Sequence, residues 1–198
     1  MKFNEIKTPT PENHDEWIFR QYEEILDLKP EDFKKKILDI GAGSARFAKW
    51  AKEHGLSEQI YSLEPKKKSP LEKSKAVSAT AEEIPFKDNS FDLEVSLYAI
   101  PFIYHNEKIR KKKEMDELVH ESLKEELRVL KIGGEIRFGP FPAGNAMEAH
   151  AAIGRVVDAE LTAREDSGEI QVEYISLGTR LTAEKEEKWY LVKIKKLR

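Results

Sequence analysis

Residues 37–48 read Ile37-Leu38-Asp39-Ile40-Gly41-Ala42-Gly43-Ser44-Ala45-Arg46-Phe47-Ala48, and this stretch organises the rest of the chain. An apolar run ends in an acid, two glycines follow one residue apart, and a segment compatible with a helix begins. This order is typical of a buried strand, a tight turn and a helix N-terminus. Such a corner brings backbone N–H groups and glycine Cα atoms against a nucleotide-like ligand. The stretch therefore predicts a ligand site at this turn.

The composition limits the classes of protein to which the chain can belong. Its 198 residues are 39% hydrophobic and 36% charged, which suits one α/β domain with a sizeable core. The absence of cysteine excludes disulfides, thiolate zinc sites and a cysteine nucleophile. The formal net charge of −3 argues against general affinity for nucleic acid. Since no apolar run could span a bilayer and the N-terminus has no signal-peptide core, we expect a cytoplasmic protein without a membrane partner.

Hydrophobic periodicity and turn residues divide the chain into alternating strands and helices. Strands are predicted over residues 37–40, 59–63, 76–80, 91–97, 135–138, 171–176 and 189–195. Helices are predicted over residues 13–28, 45–54, 106–130 and 145–161, with a short further helix opening at Ser69-Pro70. This order predicts an α/β fold with a doubly wound, Rossmann-like, seven-stranded and mostly parallel sheet that carries helices on both faces.

The same pattern indicates a single domain over residues 1–198. Residues 1–30 form a lead-in and a first helix, residues 37–138 the ligand-binding core, and residues 145–198 a last helix and two late strands. Gly55 is predicted to cap the second helix, and Gly133-Gly134 is predicted to stop the long third one. A chain of this size has little beyond the core fold with which to recognise a second substrate.

Three further segments narrow the identity of the ligand. Glu64 follows the second predicted strand, 23 positions after Gly41, where an acid can accept hydrogen bonds from both hydroxyls of a ribose. Residues 81–92 then read Ala-Glu-Glu-Ile-Pro-Phe-Lys-Asp-Asn-Ser-Phe-Asp, and residues 126–135 read Glu-Leu-Arg-Val-Leu-Lys-Ile-Gly-Gly-Glu. Alone, a Gly-x-Gly turn is weak evidence, since many α/β proteins use one structurally.

Together, these segments resemble the class I S-adenosylmethionine-dependent methyltransferases, from about Ile37 to Phe138. The Ile-Pro-Phe-x-Asp-x-Ser-Phe-Asp and Leu-Lys-x-Gly-Gly segments are the specific parts, because a nicotinamide-dependent dehydrogenase has no reason to carry them. The resemblance implies S-adenosyl-L-methionine as cofactor and S-adenosyl-L-homocysteine as product.

The resemblance also assigns roles by position. It places Asp39 near the ammonium group of the methionine moiety, beside Gly41, Ala42 and Gly43, and it places Glu64 on the ribose hydroxyls. It further implies that Thr80, Ala81 and Glu82 lie along the adenine edge. It places Ser96, Leu97 and Tyr98 beneath the sulfonium, where they close the pocket. Each of these positions also has a purely structural interpretation, such as a helix cap or a surface acid.

Three residues depart from the pattern of the family. Ala45 replaces the third glycine of the first motif, a position that chiefly permits close helix–strand packing, so one extra methyl is tolerated. Thr80 stands where the family usually has an acid on the adenine amino group, and a hydroxyl accepts that hydrogen bond without charge. Ile132 replaces the proline of Leu-Lys-Pro-Gly-Gly, which should matter little. We therefore expect the chain to bind the cofactor, while these residues leave the affinity undetermined.

The acceptor is expected beyond the fourth strand, in the segment Tyr98-Ala99-Ile100-Pro101-Phe102-Ile103-Tyr104-His105. Tyr98 or His105 could orient or deprotonate an acceptor, although the segment could equally be a packing patch. Trp17 and Tyr22 could form part of a lid or simply belong to the core. The segment lacks the Asn/Asp-Pro-Pro-Tyr/Phe signature of many base and amide methyltransferases, which favours a small-molecule acceptor.

Three alternatives stay open at the level of sequence. Two basic clusters, Lys66-Lys67-Lys68 and Arg110-Lys111-Lys112-Lys113, could grip RNA or protein, although such runs are usually solvated helix faces. A second alternative is a subunit without turnover that keeps the fold to bind a cofactor or a partner. A third, a nicotinamide-binding oxidoreductase, is disfavoured by the segments after Glu64.

Overall fold

The computed structural model of the chain describes residues 14–65, 75–100, 112–142, 148–181 and 186–198. Its strands are β1 (Ile37–Ile40), β2 (Ile60–Leu63), β3 (Lys75–Val77), β4 (Phe91–Leu97), β5 (Leu130–Pro142), β6 (Ile170–Leu181) and β7 (Glu186–Lys196). Its α-helices are α1 (His14–Ile25), α2 (Arg46–Glu53), α3 (Lys112–Val129) and α4 (Glu148–Asp166), and a short 3-10 helix covers Asp32–Lys34. The predicted lead-in over residues 1–11 and the short helix at Ser69-Pro70 lie outside the described residues.

The strands form one seven-stranded sheet in the order β3-β2-β1-β4-β5-β7-β6. β1 pairs in parallel with β2 and with β4, β2 pairs in parallel with β3, and β4 pairs in parallel with β5. β7 runs antiparallel between β5 and β6. The strand order reverses direction between β1 and β4, and ligands of open α/β sheets bind at the carboxyl edge beside such a switch point. The prediction of a doubly wound, mostly parallel seven-stranded sheet is confirmed.

Two apolar cores cover the two faces of the sheet. The core under α1 and α2 includes Phe19, Ile25, Phe47, Leu93 and Val95. The core under α3 and α4 includes Leu38, Leu123, Leu127, Phe138 and Val157. The predicted placement of helices on both faces is thus confirmed. Because side chains alternate along a strand, Asp39 on β1 faces the α1–α2 side while Leu38 faces the other.

The third helix ends before the glycines that were predicted to stop it. α3 ends at Val129, and Leu130 already pairs with Phe91 of β4. The register shifts between Phe91 and Leu93, so Gly133, with φ of +78°, lies in an irregularity inside β5 rather than at a helix end. Pairing with β4 therefore ends the helix, because an extended Leu130 gains a sheet partner and a buried position.

A buried ion pair fixes the chain between α1 and β1 against the sheet. Arg137 of β5 is only 7% exposed and donates to Asp32 Oδ2 at 2.9 Å and to the carbonyl oxygen of Asp27 at 2.8 Å. Since Asp27 and Asp32 flank the turn that follows α1, these contacts set where α1 sits over the sheet. Among the helices that the structure describes, none combines the length and the apolar character needed to cross a membrane.

Candidate functional site

A cavity of about 300 Å³ lies between α1 and the turn after β1, at the carboxyl edge of the sheet. Its size is at the lower end of the range for small-molecule sites. The described residues that line it are His14, Trp17, Ile18, Gln21 and Tyr22 of α1, Gly41, Ala42, Gly43 and Ser44 of the turn, Arg46 and Phe47 of α2, and Leu97 and Tyr98 at the end of β4. The structure therefore joins four of the predicted cofactor residues and Tyr98 around one space.

The turn after β1 takes its shape from three residues with left-handed backbones. Gly41, Gly43 and Ala45 have φ of +72°, +56° and +54°. The N–H groups of Gly41 and Ala42 donate to the carbonyl oxygen of Leu63 at 2.9 and 3.1 Å, which ties the turn to the end of β2. Ala45 precedes α2 as its N-cap without a side-chain capping bond, so the extra methyl sits on a backbone that favours glycine. The expectation that this position chiefly serves helix–strand packing did not include this conformational cost.

Glycine is required at position 41 because a neighbouring residue leaves no room for a side chain. A Cβ atom at this position would lie 2.3 Å from Cβ of Ala99, in the segment that follows β4. A Cβ at Gly43 would meet no described atom within 4 Å. The first glycine thus lets the ends of β1 and β4 approach each other, and the second leaves the cavity side of the turn open.

Glu64 braces the same turn from the end of β2. Its Oε2 atom accepts a hydrogen bond from the N–H of Gly43 at 3.0 Å. Among the described residues it is not part of the cavity lining. The predicted contact of Glu64 with ribose hydroxyls stays a prediction, and what the structure adds is that this carboxylate orders the glycine turn.

Asp39 is completely buried behind the cavity wall and is held by a tyrosine of α1. The hydroxyl of Tyr22 donates to Asp39 Oδ1 at 2.9 Å, while Oδ2 has no hydrogen-bond partner within the described parts of the chain. Ser62, its register partner on β2, likewise carries a buried hydroxyl without a described partner. Burial, with a smaller contribution from nearby Glu64, raises the pKa of Asp39 to about 7 against the lowering effect of the Tyr22 hydroxyl.

Helix α1 is fastened over the cavity by charge and by aromatic stacking. Asp15 forms ion pairs with Arg46 and with Lys49 of α2, and the hydrogen bond from Lys49 is the main cause that lowers the pKa of Asp15. The rings of Tyr22 and Phe47 stack with centroids 4.1 Å apart and an interplanar angle of 2°. Trp17 and Tyr22 both line the cavity, and Tyr22 is also part of the core under α1 and α2; a lid role for this helix stays a prediction.

Tyr98 has a strained backbone at the rim of the cavity. Its φ is +55°, a region that non-glycine residues rarely adopt, and the residue is 44% exposed. Its N–H donates to the carbonyl oxygen of Gly139 on β5 at 2.8 Å. Such strain clusters at functional sites, where the surrounding structure maintains it. The other predicted catalytic residue, His105, lies outside the described residues.

The remaining predicted cofactor residues lie apart from this lining. Ser96 is buried on the α3 side, where its Oγ accepts the N–H of Ile100 at 3.1 Å. Ala81 packs into the core under α3 and α4. Thr80 is exposed, and its carbonyl oxygen accepts the N–H of Glu83. Glu82 is half-buried and raises the pKa of Glu126 on α3. Their contacts with an adenine ring stay predictions.

Six lining residues were missed by the sequence reasoning, among them the polar residues Gln21 and Arg46. Gln21 is only 3% exposed and lies on the inner face of α1, and Arg46 opens α2 at the cavity wall. A polar residue within the apolar stripe formed by Ile18, Tyr22 and Ile25 was a signal for Gln21. Arg46 directly follows the motif, but its pairing with Asp15 arises only when α1 folds over α2.

Comparison with known proteins identifies the family. A family model described as a methyltransferase domain matches residues 38–138, more than half of the chain. The chain belongs to this methyltransferase family. It has the class I fold, and the cofactor of this class is S-adenosylmethionine. No curated protein matches the chain at a significant level.

Solved structures that resemble this methyltransferase agree on the fold. A SAM-dependent methyltransferase from Methanosarcina mazei is 16% identical with a TM-score of 0.52, and the match covers 82% of this chain and 92% of that one. An S-adenosylmethionine-dependent methyltransferase from Mesorhizobium loti is 18% identical with a TM-score of 0.53, over 92% and 98%. The YcgJ protein from Bacillus subtilis is 15% identical with a TM-score of 0.55, over 93% and 98%. At these identities the likeness shows the fold alone.

The residues at the switch point fit the methionine end of S-adenosylmethionine. A cationic ammonium group suits the unpartnered Oδ2 of Asp39, because buried charges in proteins are stabilised by opposite charges. The open side of Gly43 leaves room for a ligand against the turn backbone. Asp39 and residues 41–44 are thus the groups that would hold this end of the cofactor.

Proposed function

We propose that this methyltransferase transfers a methyl group from S-adenosylmethionine to a small-molecule acceptor that enters beneath α1. The observation that carries the proposal is the cavity of about 300 Å³ between α1 and the glycine turn. Helix α1, which forms one wall of the cavity, is fastened to α2 by the ion pairs of Asp15 and the stack of Tyr22 on Phe47. A space of this size, between helix α1 and a tight turn, suits a small molecule better than a polymer.

The reaction needs alignment more than it needs a strong base. When bound, S-adenosylmethionine supplies a methyl group activated by a positively charged sulfur. Holding an acceptor in line with that methyl group accounts for much of the rate enhancement in such a displacement. Leu97 and Tyr98, at the end of β4, line the cavity next to the turn, so their side chains can position an acceptor there. The Tyr98 hydroxyl and the His14 imidazole are described lining groups of a type that can take part in proton transfer.

Donor binding is tested first, by titration calorimetry with S-adenosylmethionine, S-adenosylhomocysteine and NAD. We expect the first two to bind and NAD not to bind. Ser44 is exposed and lines the cavity, so Ser44→Trp should fill the space and abolish binding with little effect on folding. Ser176→Trp is the matched control, because Ser176 is exposed on β6 outside the lining. Equal binding by both variants would place the donor elsewhere.

The acceptor class is tested by methyl transfer. The protein is incubated with donor labelled in its methyl group and, in parallel, with pooled small phenols, amines and thiols, with total transfer RNA, and with denatured protein. Label that passes an ultrafiltration membrane after the first incubation and separates from the donor by chromatography, but is absent with Ser44→Trp, supports the proposal. Label retained with the RNA or the protein would support the basic-cluster alternative. Donor binding without transfer to any acceptor would favour a subunit without turnover.

A further inference from the structure

Tyr22 has a position that a simple core residue does not need. Its ring is 4% exposed and stacks on Phe47, yet its hydroxyl points at the carboxyl of Asp39 across the gap between α1 and β1. Burial and the neighbouring Asp39 raise the pKa of Tyr22 well above its usual value. The tyrosine therefore keeps its proton and is the donor in the 2.9 Å hydrogen bond.

We propose that Tyr22 is a positioning residue for the methyl donor, because its hydroxyl holds Oδ1 of Asp39 so that Oδ2 is left to meet the ammonium group of the donor. The inference rests on the proposed function, since it takes the glycine turn as the donor site. A hydrogen bond to a carboxylate favours the ionised form, which is the form that attracts a cation. Helix α1 thereby contributes to donor binding through a residue that also lines the cavity.

The groups around Asp39 show why the hydrogen bond from Tyr22 matters for the ionisation of its carboxyl. Glu64, after β2, acts to keep the carboxyl of Asp39 protonated, and burial acts in the same direction. The register neighbours on the two flanking strands, Ser62 and Val95, carry no charge. The Tyr22 hydroxyl is therefore the described group that favours the carboxylate in the absence of the donor.

Arg46, His14 and Tyr98 are the further charged or titratable side chains that line the cavity among the described residues. Arg46 of α2 is bound to Asp15, so part of its charge is already neutralised. His14 of α1 stacks on Trp17 with centroids 5.8 Å apart. A test of the proposal must separate this histidine from Asp39.

The test measures S-adenosylhomocysteine affinity by calorimetry between about pH 5.5 and 8.5. Since the pKa of Asp39 in the free protein is about 7, the affinity of the natural chain should fall as the pH drops below 7. In Tyr22→Phe the midpoint of that fall should move up by about one pH unit, since hydrogen bonds to charged groups have about this strength. The variant should bind about five- to tenfold more weakly at or below pH 7 and less than about twofold more weakly at pH 8.5.

Three variants serve as controls. Tyr174→Phe removes the same kind of hydrogen bond, from Tyr174 to Asp158 at 2.7 Å, far from the cavity, and should leave the profile unchanged. His14→Gln should keep the midpoint near 7. Asp39→Asn should flatten the profile, and adding Tyr22→Phe to it should cause little further loss. This last comparison keeps the test valid where Tyr22→Phe lowers stability, because a stability effect would persist without the carboxylate.

The outcomes separate this inference from the proposed function. Tight binding with a flat profile in the natural chain, or an equal loss at every pH in Tyr22→Phe, would overturn the role of Tyr22 while leaving the donor site in place. No binding by the natural chain would overturn the proposed function and the inference with it. A higher donor KM in Tyr22→Phe, with kcat kept at saturating donor, is the kinetic result expected of a positioning residue.

Discussion

The free energy of unfolding of Glu126→Gln, measured relative to that of the natural chain, should rise as the pH rises from 5 to 7. Glu126 on α3 and Glu94 on β4 are both fully buried, and neither carboxyl has a described hydrogen-bond partner. Burial raises the pKa of Glu126 to about 8, and Glu82 adds to the effect. Burial, reinforced by Glu126, raises the pKa of Glu94 well above its usual value. The folded protein therefore keeps these groups protonated where the unfolded chain ionises them.

The size of the effect follows from linkage between protonation and folding. A carboxyl with a pKa of about 8 when folded and 4.5 when unfolded contributes its full stability below pH 4.5 and loses it as the pH rises towards 8. Between pH 5 and pH 7 this loss amounts to about 2.5 kcal/mol of unfolding free energy. Glutamine cannot ionise, so the variant does not lose this unfolding free energy as the pH rises. The stability of the variant relative to the natural chain should thus rise by about 2.5 kcal/mol over this interval.

Urea unfolding followed by tryptophan fluorescence at pH 5 and pH 7 measures this difference. The matched control is Glu121→Gln on the same helix, where Glu121 is exposed and pairs with exposed Lys124. An exposed pair contributes little, so the control should change stability by less than about 0.5 kcal/mol, equally at both pH values. If Glu126→Gln altered stability by the same amount at pH 5 and pH 7, Glu126 would titrate as a solvated acid and the reasoning would be refuted.

Three other substitutions test the site and its support. Gly41→Ala should cost about 2–4 kcal/mol, since its Cβ would lie 2.3 Å from that of Ala99 on a left-handed backbone, and Ala99→Gly should recover only the steric part in thermal unfolding. Arg137→Met should cost about 1.5–3 kcal/mol at pH 7 because the buried Asp32 carboxylate loses its guanidinium partner and keeps only Lys35 and the N–H of Lys29, and a loss in urea unfolding below about 1 kcal/mol would contradict this. Tyr98→Gly should relieve about 1 kcal/mol of backbone strain, so the melting temperature should not fall. Methyl transfer should fall because the side chain at the cavity rim is lost, and a parallel fall in both quantities would make Tyr98 a packing residue.

The fold could be predicted from sequence to a large extent because its signals are local. The strand Ile37–Ile40, the glycines that follow and Gly55 after α2 report backbone conformation at or near their own positions. Where local signals misled, pairing between distant segments decided the result. Helix α3 was expected to continue to the glycines at 133 and 134. It ends at Val129 because Leu130 pairs with β4.

The candidate site was predicted in part. The glycine turn, Leu97 and Tyr98 do line one cavity, as the resemblance implied for the pocket. Ala81 and Ser96 instead carry their side chains towards the core under α3, because alternation along a strand and the path of its loop decide which face a residue joins. Gln21 and Arg46 could not be placed at the cavity until the position of α1 over α2 was known.

The sequence by itself determined the sheet, the turn and the methyl donor, since strand periodicity, glycine backbones and short motifs are written over a few consecutive residues. Only the tertiary structure decided what those residues touch. It placed Tyr22 on Asp39, the methyl of Ala99 against Gly41, and Glu94 beside Glu126 in the buried interior. These contacts join segments far apart in the chain, and their energies arise from burial and close approach, which exist only once both faces of the sheet are packed.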